Sequence, residues 1–178
     1  MDSRTCNRVS TENDVMGQIV VDVADYKVSS NPNDFIITYA LGSCIAIVVY
    51  DPIVKVGGML HYMLPDSSID KERVRQTPAK FADTGIPVLF RACYELGAAK
   101  KRMTVVMVGG ASILTDAQNF RIGHRNIIAA RRIFWRNNIF ISNEDVGGKV
   151  SRSVRLEMAT GKTEIWNAGG YKVKHSYR

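Results

Sequence analysis

Ile45-Ala46-Ile47-Val48-Val49-Tyr50-Asp51-Pro52 and Gly57-Gly58-Met59-Leu60-His61-Tyr62-Met63 decide how this chain is read. The run from Ile45 to Tyr50 is rich in β-branched residues and continuously apolar, the pattern of a fully buried strand. Asp51-Pro52 opens a turn, and Gly57 to Met63 returns antiparallel as its partner. The hairpin carries chemistry at one end. Cys44 stands at the entrance of the first strand and His61 near the exit of the second, so both fall at the same end of the sheet.

Upstream, Leu41-Gly42-Ser43-Cys44 sets a glycine beside the thiol. Glycine in a strand interior packs nothing, whereas a sharp turn or a close backbone approach requires it. A cysteine presented this way can be deprotonated by a histidine and act as a nucleophile. His61 is the base this spacing offers, and Thr38, six residues before Cys44, can orient the imidazole. The backbone N–H groups of Ser43 and Cys44 are candidates to hold an oxyanion. The competing reading is that Cys44 simply packs, since free cysteine is among the most buried residue types.

Further out, Gln18 to Val23 and Phe35 to Ala40 read as strands, joined by the turn-rich Ser29-Ser30-Asn31-Pro32-Asn33-Asp34. Pro65-Asp66-Ser67-Ser68 turns into a charged loop through Arg75. Thr77-Pro78 reads as a helix N-cap followed by a first-turn proline. That helix should direct Phe81, Val88, Leu89, Ala92, Cys93 and Leu96 inward and end at Gly97. Pro87 delays its regular start to Asp83 or Thr84. Met103 to Val108 is a buried strand ending at Gly109-Gly110, with a loop from Ala111 to Phe120. Gly123 to Asn137 is an amphipathic helix with Ile127, Ala130, Ile133 and Phe134 inward. Ile139 to Ser142, Val154 to Met158 and Lys162 to Trp166 are shorter strands, the last two turning at Thr160-Gly161.

Hairpins outnumber strand–helix–strand crossovers, and two helices must cover a sheet face. The expected fold is α+β, a three-layer sandwich with two β layers and helices packed on one side. One domain over residues 17–166 is expected, between a polar, mobile leader (1–16) and a loose basic tail (167–178). The 178 residues carry three cysteines, Cys6, Cys44 and Cys93, with no paired spacing, which points to a reduced, cytoplasmic protein. Cys93 lies on the apolar helix stripe, and Cys6 falls in the leader. The histidines are scattered and no Cys-x-x-Cys occurs, so no metal and no cofactor are expected. No apolar run approaches membrane-spanning length. The net charge of +7 suggests nucleic acid, but the basic residues are dispersed and lack aromatic interleaving. The readings that composition leaves open are a solvated basic face and a basic surface that meets an acidic protein partner.

The chain resembles the CheD family of chemoreceptor glutamine deamidases. The resemblance rests on Thr38 to Cys44, Tyr50-Asp51-Pro52, Gly57 to Pro65, Lys80-Phe81-Ala82-Asp83-Thr84, Gly109-Gly110-Ala111, Ile122-Gly123-His124-Arg125-Asn126 and Glu144-Asp145-Val146-Gly147-Gly148. His124 departs from it, standing where the family pattern has an acidic residue. The resemblance implies a Cys44, His61 and Thr38 triad and a fold shared with glutamine-deamidating bacterial toxin domains. It also implies methyl-accepting chemotaxis receptors as substrate, with long helices rich in glutamate and glutamine. A CheC-type chemotaxis phosphatase is an implied partner, and a chain that binds and modulates that phosphatase is the alternative function. Hydrolysis of receptor glutamyl methyl esters would use the same chemistry. Gly109, Gly110, Arg121 and Arg125 are the candidates for docking the substrate, with Arg132 further along the same helix.

Overall fold

The computed structural model describes residues 17–69, 74–112, 121–167 and 175–177. The leader with Cys6, most of the Ala111 to Phe120 loop and part of the loop before Arg75 lie outside the described residues. The chain folds as an α+β sandwich. One five-stranded sheet has the order β1 (Gly17–Val20), β3 (Asp34–Leu41), β8 (Arg152–Glu157), β9 (Thr163–Asn167), β10 (His175–Tyr177). The other runs β2 (Asp25–Ser29), β5 (Val56–Tyr62), β4 (Ile45–Asp51), β6 (Thr104–Gly109), β7 (Asn143–Val146). Two helices, α1 (Ala82–Glu95) and α2 (Ile122–Arg136), cover the outer face of the second sheet.

Strand β4 is the middle of the sandwich, with all seven of its residues buried. Because successive side chains alternate faces, Ile45, Ile47 and Val49 meet Leu89, Phe90 and Phe134 under the helices. Ala46, Val48 and Tyr50 meet Ile36, Leu156 and Ile165 of the opposite sheet. The apolar run needs both layers. At its far end the Asp51 carboxylate is fully buried and accepts from the N–H groups of Ile53 (3.0 Å) and Ala99 (2.9 Å). Burial alone would raise its pKa, but these donors and the Arg102 guanidinium, 2.8 Å away, hold it below the usual carboxylate range.

The structure differs from the sequence reading in several elements. Strand β2 was not expected: Tyr26 and Val28 alternate with Asp25 and Lys27, and pairing with β5 stabilises a short edge segment. Pro78–Lys80 is a separate 3₁₀ turn, and Thr77 makes no side-chain cap bond to it. α1 starts at Ala82 and passes through Pro87, which is exposed, so the ring costs one intrahelical bond on the solvent side. Ile86 and Phe90 join the inward face, while Leu96 lies past the helix end and is exposed. The strand expected over Ile139 to Ser142 forms at Asn143–Val146, where parallel pairing to β6 outweighs a polar composition. The tail is not wholly loose, since His175–Tyr177 pairs with β9.

The β8–β9 turn uses Gly161 at φ +74°, where a Cβ would lie 2.3 Å from the Tyr50 ring. That ring is anchored by its hydroxyl, which donates to the Met158 carbonyl at 3.0 Å. Gly161→Ala should therefore cost about 1–3 kcal/mol from backbone strain and overpacking. A urea midpoint within error of wild type would show that Tyr50 moves aside freely.

Candidate active site

Two sheets converge on the site. His61 on β5 pairs with Ala46 on β4, which makes Cys44 its diagonal neighbour on the same face. That face is turned toward the other sheet, from which β3 brings Thr38. Thr38 thus reaches His61 across the gap between the β layers, and Cys44 packs on the same inter-sheet face. Directly after Thr38 the β3–β8 register shifts before Leu41, and Ala40 takes φ +54°. This bulge re-aims the chain, and Gly42, Ser43 and Cys44 cross from one sheet to the other.

Hydrogen bonds fix the histidine's orientation and its tautomer. The Thr38 hydroxyl donates to the Val21 carbonyl at 2.7 Å, so its oxygen is left to accept from His61 Nδ1–H at 2.9 Å. The proton is then on Nδ1 and the lone pair on Nε2. His61 is 2% exposed, and Nε2 has no hydrogen-bond partner among the described residues, the Cys44 sulfur included. Burial pushes the His61 pKa down to about 4, against a weaker opposing pull from Asp22. Burial also pushes the half-buried Cys44 thiol up, partly offset by its own backbone N–H. The resting pair is therefore a neutral thiol and a neutral imidazole with its basic nitrogen bare.

The loop carrying the thiol is clamped from behind. The Gly110 N–H donates to the Cys44 carbonyl and the Ala111 N–H to the Gly42 carbonyl, both at 2.8 Å. Gly109, at φ +114°, has no room for a side chain, since a Cβ would lie 2.3 Å from the Cys44 oxygen. Gly109 and Gly110 are both buried, so their contact is with the Cys44 backbone and they present no surface of their own. α2 approaches the same loop: a Cβ on Gly123 would lie 2.5 Å from the Gly110 oxygen. Arg121 and Arg125 are exposed at this end of α2, as is His124. Arg132 lies two turns further along, roughly 10 Å down the axis.

Sequence reasoning assigned no role to Asn126. It is fully buried, and its Nδ2 donates to the Ser43 carbonyl at 2.9 Å and the Met63 carbonyl at 2.8 Å. The signal was present, because an asparagine at 126 falls one helical turn before Ala130 on the apolar stripe of α2. A polar residue on such a stripe must find partners. No group of three or more metal-ligating side chains occurs among the described residues, and no described helix is long and apolar enough to cross a membrane.

Comparison with known proteins gives this geometry its context. A family model described as CheD chemotactic sensory transduction matches residues 63–167. "Probable chemoreceptor glutamine deamidase CheD 1" of Syntrophus aciditrophicus is 57% identical over 155 residues, covering 87% of this chain and 97% of the relative. "Probable chemoreceptor glutamine deamidase CheD" of Solibacter usitatus is 47% identical, covering 88% and 93%. The protein of the same name from Syntrophotalea carbinolica is 38% identical, covering 84% and 94%. The family model begins just after His61, but alignments spanning this much of the chain necessarily include positions 38, 44 and 61. With most of its length matched to full-length relatives at this identity, the chain belongs to the CheD family.

Proposed function

We propose that this chain deamidates glutamine side chains of chemoreceptors through a thioester on Cys44. The observation that carries the reading is the Thr38–His61 bond, which leaves a bare Nε2 on the sheet face shared with Cys44. The names of the relatives supply the substrate class. When a glutamine side chain enters, Cys44 turns toward His61 and its thiol proton passes to Nε2. Catalytic hydrogen bonds of this kind commonly tighten only in the substrate complex. The sulfur attacks the amide carbon, and the Ser43 and Cys44 N–H groups receive the oxyanion. Imidazolium then gives its proton to the departing nitrogen, ammonia leaves, and a thioester remains. His61 next takes a proton from water, whose oxygen attacks the thioester. Glutamate is released and the thiol restored.

A glutamyl methyl ester would follow the same steps with methanol as leaving group, so receptor methyl esters are a second substrate of the same site. The test is incubation with a receptor fragment, followed by mass spectrometry for amide-to-acid conversion at individual glutamines. No conversion by wild type under conditions where Cys44 is reduced would sink the proposal.

Arg121 and Arg125, exposed at the end of α2 that abuts the Cys44 loop, are proposed to steer an acidic receptor helix to the site. Replacing both with glutamate should lower second-order turnover of a receptor fragment about tenfold at low salt and flatten its salt dependence. Turnover of a short neutral glutamine peptide should stay near wild type. Equal losses on both substrates would instead indicate damage to the site itself.

A further inference from the structure

We propose that Asn126 is a positioning residue for acyl transfer, holding the Cys44 N–H group in the direction from which an oxyanion is received. The inference rests on the thioester reading and extends it to a residue that touches neither substrate nor sulfur. Three successive carbonyls in the nucleophile loop are each occupied from outside: Gly42 by the Ala111 N–H, Ser43 by Asn126 Nδ2, and Cys44 by the Gly110 N–H. In a trans peptide the N–H points opposite to the preceding carbonyl. Fixing the Gly42 and Ser43 carbonyls therefore fixes the Ser43 and Cys44 N–H vectors on the other side. Neither of these N–H groups is taken by another backbone carbonyl among the described residues.

Asn126 is the one side chain in this clamp. Its second bond, to the Met63 carbonyl, ties the loop to the strand end two residues after His61. Nucleophile and base are thereby held to a common point. The helix that carries Asn126 is itself anchored, since the Tyr62 hydroxyl donates to the Asn126 backbone carbonyl at 2.8 Å. Two carbonyl acceptors require an NH₂ at this position, which an isosteric aspartate does not supply. Among the described residues no donor reaches the buried Asn126 Oδ1.

The test separates acyl transfer from simple thiol reactivity. Acylation of Cys44 by p-nitrophenyl acetate passes through a tetrahedral oxyanion, whereas alkylation by iodoacetamide does not. Both are read by mass spectrometry at the Cys44 peptide, with folding followed by circular dichroism and urea midpoint. In Asn126→Ala the ratio of acylation to alkylation rates should fall about tenfold or more. Asn126→Ser keeps a single donor at lower volume and should fall between. Deamidation of a receptor fragment should lose kcat in the same order, with KM little changed.

An unchanged ratio in either folded variant overturns the proposal. So does equal loss with both reagents, which would assign Asn126 a purely structural role. If Asn126→Ala fails to fold, Asn126→Ser decides by the same ratio. The two readings fail in distinguishable ways. Wild type that acylates but never deamidates would defeat the proposed function while leaving the Asn126 assignment to the ratio.

Discussion

Cys44→Ala should abolish glutamine deamidation, with a loss on the order of 10⁴-fold or more, and leave the fold unchanged. The loss is that large because no second group can form the acyl intermediate, and members of a nucleophile–base unit behave non-additively when removed. Stability should hardly move, because Cys44 is only half-buried and lies before the first residue of β4. Its backbone contacts to Gly110 are made by the carbonyl and survive the substitution. Cys93→Ala is the matched control. Burial pushes that thiol up to about 12, so it supplies no thiolate at neutral pH, and its side chain packs wholly under the helices. It should retain the deamidation rate and lose about 1–2 kcal/mol of stability through the vacated sulfur volume. Residual activity in Cys44→Ala near that of wild type would overturn the site.

The sandwich and the expected Cys44, His61 and Thr38 site are legible in the sequence for one shared reason. Both rest on short-range features of the β4–β5 hairpin: an unbroken apolar run, a turn, and a glycine before the thiol. Hairpin register follows from the strand pattern and the turn, so Cys44 and His61 could be assigned to one end of the sheet from spacing alone. Thr38 could be named, but not that it reaches in from the opposing sheet, because the β3 bulge that redirects the chain has no sequence signature beyond Gly42. Elements stabilised mainly by tertiary pairing were the ones misread. Asn143–Val146 has a polar composition that argues against a strand, and only the neighbouring edge of β6 makes it one. Tyr26 and Val28 alternate over too few residues to stand out until β5 pairs with them. Leu96 fits the helix stripe by spacing, yet the helix stops at Glu95 and leaves it outside. Asn126 is legible as a polar residue on the apolar stripe of α2, but its partners are carbonyls at positions 43 and 63, and no local pattern indicates contacts that distant.

His61→Gln should move two measurements in opposite directions, reducing deamidation by roughly 10³-fold while removing a large part of the protein's sensitivity to mild acid. The activity loss follows from the missing base. Glutamine retains an N–H donor for the Thr38 oxygen but has no group that titrates near neutrality. The stability change follows from burial. Folded His61 binds its proton only near pH 4, while an unfolded histidine binds it near pH 6.5. Between these values the unfolded state holds more protons, so stability is complete above the unfolded pKa and is lost as pH falls toward the folded one. The lowered value corresponds to about 3 kcal/mol over that window. Asp22 opposes the shift without cancelling it. Asp51, Asp66 and Glu164, whose carboxyls are held below their ordinary values, lose stability at more acidic pH, and do so equally in wild type and variant. Urea unfolding at about pH 7.5 and about pH 4.5 isolates the histidine as the difference between the two proteins. Wild type should lose most of the 3 kcal/mol between these conditions, and His61→Gln should lose little of it. Parallel losses would mean that folded His61 titrates near its unfolded value and that burial does not keep it neutral in mild acid. A smaller loss in wild type than in His61→Gln would mean that folded His61 holds its proton more tightly than the unfolded chain and rests as an imidazolium. A resting imidazolium could not take the thiol proton, and the general-base role assigned to His61 would fall with it.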